Sequence, residues 1–213
     1  MEGKIHTKEN REKGFLKGLF YKNPVLVRII GIGPVVAAAY SLKNGIALCV
    51  IMLVLFVSTG FFSFFLGSFF SQKTAVPAYV IFSAIMLIPA YLLCNLILPG
   101  TVDALGVFAP IMMVNTLIIS RSDKYGSFSS LLDAIIDALG NVCGFAVVVL
   151  FVSAVREIFA FGTLFDISLG ELATVEGLRL PFAGYIILGL TAALLRNIRR
   201  RIRDKREEQE ANE

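Results

Sequence analysis

Apolar and polar positions along this chain are gathered into long separate blocks. Apolar runs cover about 24–41, 45–70, 75–98, 103–120, 131–159 and 180–197. Short polar or helix-breaking clusters punctuate them, such as Lys43-Asn44-Gly45, Ser71-Gln72-Lys73 and Pro99-Gly100. A bilayer core of about 30 Å needs roughly 20 apolar helical residues. The pattern therefore predicts an all-α integral membrane protein with six transmembrane segments. Composition agrees, since 56% of the 213 residues are hydrophobic against about 45–50% in soluble domains.

Charge sets the orientation. Residues 1–22 form a basic arm carrying Lys4, Lys8, Arg11, Lys13, Lys17 and Lys22. Residues 23–198 form the membrane domain, and 199–213 a charged tail. The tail and the end of the last segment hold Arg196, Arg199, Arg200, Arg201, Arg203, Lys205 and Arg206. Lys and Arg collect on the cytoplasmic side, so both termini are expected there. Lys73, Arg121 and Lys124 then fall inside, and the loop with Asp166, Glu171 and Glu176 falls outside. The first twenty residues lack the apolar stretch of a cleavable signal peptide. The net charge of +4 follows from this topology. The tail reads as a juxtamembrane stop signal facing anionic lipid, without nucleic-acid binding. Arg28 reads as an interfacial anchor.

Two segments are interrupted. Gly31, Gly33 and Pro34 break the first, leaving apolar helix only from Ile29 to Tyr40, about 18 Å at 1.5 Å per residue. Gly106 and Pro110 break the fourth, and Asn115 adds an amide. Irregular backbone at membrane depth survives only where protein or water covers it. Each break opens a set of three segments, and three crossings separate the sets, so the halves have opposite topology. This pattern predicts two inverted three-helix repeats whose half-helices meet near the midplane.

Other chemistry is sparse. Cys49, Cys94 and Cys143 are far apart in apolar runs and read as packing residues. His6 is the only histidine, and Trp is absent. Asp133 and Asp137 share one face of the fifth segment near its cytoplasmic end, as part of an ion route or as structural carboxylates. Arg156-Glu157 reads as a helix-end ion pair, with Gly162 as the stop; the other reading is that it orders the outer loop or the sister-subunit interface. The run of Phe between 61 and 70 reads as a lipid or subunit contact. No phosphate loop, zinc motif, nucleophile elbow or dinucleotide fingerprint is present.

Several pieces together resemble one family. They are G-L-F-Y-K-N-P-V-L-V, I-I-G-I-G-P, L-G-V-F-A-P-I-M-M-V-N-T, Asp133 in S-L-L-D, V-R-E-I-F-A-F-G-T-L-F-D and the L-P-F-A-G-Y helix with its basic tail. In order and spacing the chain resembles the small six-helix subunits of the Rnf and Nqr redox-driven ion pumps, in the RnfE/NqrD-like branch. The resemblance implies a prokaryotic cytoplasmic membrane. It also implies a sister six-helix subunit of opposite orientation, and flavin- and cluster-carrying partners. Relatives share an iron or [2Fe-2S] centre with the sister, using a cysteine at each break. Here those positions hold Gly33 and Thr116. Neither suits iron–sulfur iron. A divergent member without cofactor ligands of its own is therefore expected, with scaffold rather than catalytic residues.

Two function classes follow. One is a non-catalytic or electron-relay subunit of a complex coupling electron flow among ferredoxin, NADH and quinone to Na+ or H+ movement. The other is a stand-alone or paired transporter of a small solute or ion on the same fold. In the second, Ser41, Ser58, Thr59, Asn115 and Thr116 would contact the solute.

Overall fold

A computed structural model describes residues 32–66, 72–119, 130–165, 167–170 and 174–210. Helix α1 spans Ile32–Ala38 and α2 spans Leu42–Leu66. Helix α3 spans Gln72–Ile97. The fourth apolar stretch is divided into α4 (Thr101–Leu105), α5 (Phe108–Ile111), a 3-10 turn (Met112–Val114) and α6 (Thr116–Ile119). Helix α7 spans Leu131–Phe161. A small hairpin follows, pairing β1 (Thr163–Leu164) with β2 (Ile167–Ser168) in antiparallel register, Thr163 opposite Ser168. A 3-10 turn at Glu176–Arg179 leads into α8, Pro181–Glu210.

Three stretches are long and apolar enough to cross a membrane: Leu42–Phe65, Thr74–Ile97 and Leu131–Phe161. The stretches Phe108–Ile119 and Pro181–Leu194 are apolar but shorter. Of the expected first segment, only Ile32–Ala38 is described as helix; Gly31 and Arg28 lie outside the described residues. Helix α2 begins three residues before the expected boundary. Helix α8 continues without interruption through the basic run.

The helix ends are written into the sequence. Ser130 caps α7, accepting from Asp133 N at 3.2 Å and donating to Asp133 Oδ2 at 2.9 Å. This reciprocal pairing satisfies an amide left open in the first turn. Gly162 ends α7 in the left-handed conformation (φ 65°), and its N–H bonds to Ile158 O. Glycine adopts that conformation without a Cβ clash. Pro77 and Pro89 sit within α3.

Helix α2 is the spine, packing on α7 along one side and on α3 along another. Leu48, Ile51, Met52 and Leu55 of α2 meet Phe145, Val148, Val149 and Val152 of α7 in the core. Gly45 allows the closest approach: a Cβ there would collide with Ser153 Oγ. Small residues at such crossings let membrane helices associate by dispersion, since lipid gives no hydrophobic drive. By contrast, α3 leaves Ile81, Ile85, Ile88, Leu92 and Leu96 exposed along its outer side.

Candidate functional site

The functional reading centres on the two interrupted stretches. Gly33 and Pro34 stand in the first turn of α1, as described from Ile32. Gly33 is exposed, and a Cβ built on it meets nothing within 4 Å among the described residues. In the fourth stretch the backbone departs from helix at Gly106 (φ 53°, ψ −126°) and at Asn115 (φ −61°, ψ 133°). Pro110 lies inside α5. Asn115 is 4% exposed and restarts the helix: its Oδ1 accepts from Leu117 N at 3.0 Å. Its carbonyl takes Ile118 N at 2.8 Å. The extended residue thus acts as the cap of α6. Thr116 is exposed.

Helix α1 packs against α5, so the two short helices meet. The side of the fourth stretch turned away from the core is apolar and open. Val107 is 71% exposed and Val114 42%.

The structure adds a second feature that joins these pieces. Arg156 and Glu157, one helical turn before the end of α7, are each 1% exposed. Arg156 donates to five main-chain carbonyls: Val36 at 2.7 Å, Ala39 at 3.4 Å, Leu178 at 3.3 Å, Arg179 at 3.2 Å and Leu180 at 3.3 Å. Two of these lie at the C-terminal end of α1. Glu157 Oε2 accepts from Leu42 N, at the start of α2, at 2.6 Å. A helix C-terminus carries partial negative charge and an N-terminus partial positive charge. Adjacent residues of opposite sign therefore serve the end of one helix and the start of the next. The helix-end pair expected from the sequence is in the fold a clamp across three chain segments, reaching the outer-loop carbonyls at 178–180. Its sequence signal is the Arg-Glu dipeptide in an apolar run, within V-R-E-I-F-A-F-G-T-L-F-D.

Asn44 strengthens the same turn, donating from Nδ2 to Ala38 O at 3.3 Å. Arg179 closes α7 from the other side, donating to Ala160 O at 3.1 Å while lying over the Phe161 ring at 5.1 Å. Beside the clamp is an open cleft of about 600 Å3, lined by Tyr40, Ser41, Asn44, Thr101, Glu157 and Phe161 among others.

Asp133 and Asp137 lie at the far end of α7. Asp133 and Arg156 are 23 positions apart, roughly 34 Å of helix. Asp133 belongs to the Ser130 cap. Asn141 Nδ2 donates to Asp137 O at 2.6 Å and Asp137 Oδ2 at 3.2 Å.

Gly33 and Thr116 do not fit as ligands of an iron–sulfur centre. Gly33 has no side-chain donor, and its Cβ direction is open. Thr116 offers only a hydroxyl, a poor match for iron that prefers thiolate. The cysteines lie elsewhere: Cys94 is buried in α3, while Cys49 in α2 and Cys143 in α7 are half-buried. Among the described residues, His, Cys, Asp and Glu form no group of three or more that could hold a metal.

Comparison with known proteins places these features. Residues 12–195 match the family model described as Rnf-Nqr subunit, membrane protein. Over 209 residues the chain is 27% identical to a subunit of the ion-translocating oxidoreductase complex of Aliivibrio fischeri, covering 91% of this chain and 92% of that one. Over 150 residues it is 33% identical to the subunit of the same name from Shewanella loihica, covering 70% and 65%. The corresponding Vibrio vulnificus protein is 28% identical over 217 residues, covering 94% of each. The match runs through both interrupted stretches and through Arg156-Glu157, and the chain belongs to the Rnf-Nqr membrane-subunit family.

Proposed function

We propose that this chain is a membrane subunit of an Rnf/Nqr-like complex. Such a complex couples electron transfer among ferredoxin, NADH and quinone to Na+ or H+ translocation. The observation that carries this reading is the family match across 12–195, with relatives named as subunits of an ion-translocating oxidoreductase complex. The chain supplies scaffold and no iron–sulfur ligands at Gly33 and Thr116. Its six segments form two inverted repeats in a prokaryotic cytoplasmic membrane, with both termini inside.

A sister subunit of opposite orientation covers the interrupted stretches. The open apolar side of α5 and its neighbours supports this, because a departure from helix at membrane depth needs protein or water over it. Flavin- and cluster-carrying subunits complete the assembly. Asp133 and Asp137 serve the helix start or line an ion route. The test is affinity purification of the tagged chain from its native membranes, followed by mass spectrometry. Flavin- and cluster-carrying subunits in near-equal amounts are expected. Recovery alone, or with only a similar six-helix protein, would overturn the complex and favour a solute or ion transporter.

A further inference from the structure

Helices α2 and α3 place two matched sets of residues face to face. Thr59, Phe62 and Ser63 occupy one side of α2, at spacings of three and four. Tyr79, Phe82 and Ser83 repeat that spacing on α3. The register is fixed by Phe62, whose ring centroid lies 5.3 Å from that of Tyr79 and 4.5 Å from that of Phe82. Thr59, Tyr79 and Ser83 are 0% exposed, and Ser63 is 2%. These hydroxyls are thus enclosed between two helices whose other contacts are largely apolar.

A helical serine or threonine can discharge its hydroxyl onto a carbonyl of the preceding turn. Thr59 does so, donating to Phe56 O at 3.0 Å. Among the described residues, Ser63 Oγ and Ser83 Oγ are buried with no hydrogen-bond partner. An unpaired buried hydroxyl costs free energy, and membrane surroundings offer no bulk water to relieve it. Each serine can both donate and accept. A water molecule bridging two to four polar groups meets that need. A dehydrated metal cation does not, since no carboxylate is within this set to offset the cost of burying its charge.

We propose that Ser63 and Ser83 build a buried water site between α2 and α3, walled by Phe62 and Tyr79. The site does not depend on the function proposed above. Its use as a polar stepping point in an ion-translocating assembly rests on that reading.

Radiolytic hydroxyl labelling of the purified full-length chain with its native partners tests the site, with side-chain oxidation read by mass spectrometry. Bound water generates radicals in place, so buried side chains beside it oxidise. Phe62 should oxidise well above Phe145, a phenylalanine of the dry core, and Tyr79 should approach exposed Tyr185. The combined substitution Ser63→Ala and Ser83→Ala should return Phe62 to the Phe145 rate while leaving Tyr185 unchanged. Wild-type Phe62 oxidising as slowly as Phe145 would overturn the site. So would a Phe62 rate that the double substitution leaves in place. Both substitutions remove a single oxygen, and size-exclusion elution with the partners confirms assembly before labelling.

Discussion

Arg156 Nη1 stands 2.7 Å from the carbonyl oxygen of Val36, joining residues 120 positions apart. The same guanidinium reaches the chain at 178–180. Arginine suits this role because its donors are fixed in a planar fork and its charge persists. Replacing it with methionine would strand several buried carbonyls, each costing about 1–3 kcal/mol. Arg156→Met should therefore abolish or sharply lower the yield of monodisperse protein in detergent. Arg156→Lys, with three donors on one nitrogen, should fall between the two. Fluorescence-detected size exclusion measures the order, and equal profiles for all three would refute the clamp.

Glu157 Oε2 accepts from Leu42 N. Glu157→Gln keeps an oxygen acceptor, whereas Glu157→Ala leaves the first amide of α2 without it. Loss of such a cap costs about 0.5–2 kcal/mol. The thermal midpoint should fall more for Ala than for Gln. Equal falls would mean that the charge, rather than the acceptor, matters.

Gly184 lets α8 approach α1. A Cβ there would come within 2.9 Å of Val36 O and 3.0 Å of Val36 Cα, both backbone atoms that cannot swing aside. Gly184→Ala should destabilise by about 1–3 kcal/mol, as overpacking does. Gly189 on the same helix has open space around its Cβ direction, so Gly189→Ala is the neutral control. A thermal-shift comparison in detergent reads both.

Gly33 separates folding from assembly. Its Cβ direction meets nothing within 4 Å among the described residues, so Gly33→Leu should leave the yield and elution of the isolated chain unchanged. If the sister subunit packs there, the same substitution should abolish co-purification. Retention of partners by Gly33→Leu would place the interface elsewhere.

Asn115 holds the last interruption through its bond to Leu117 N. Asn115→Ala should cost about 1 kcal/mol, in the range of a lost cap. Asn115→Asp, which keeps the acceptor, should recover much of the melting temperature if the cap is the main role.

The membrane class, three of the long apolar helices and the caps at Ser130 and Gly162 are encoded locally. They follow from hydropathy and from bonding between residues a few positions apart. Gly106 and Asn115 are marked in the same way, because glycine and asparagine favour backbone that leaves the helix. The meeting of α1 with α5, the crossing of Gly184 over Val36 and the placement of Phe62 against Tyr79 and Phe82 depend on how distant segments pack. So does the role of Arg156-Glu157. Read along the chain, two opposite charges side by side neutralise each other. In the fold they are turned outward from one helix to the ends of two others, because buried carbonyls and amides at helix ends need partners that lipid cannot provide.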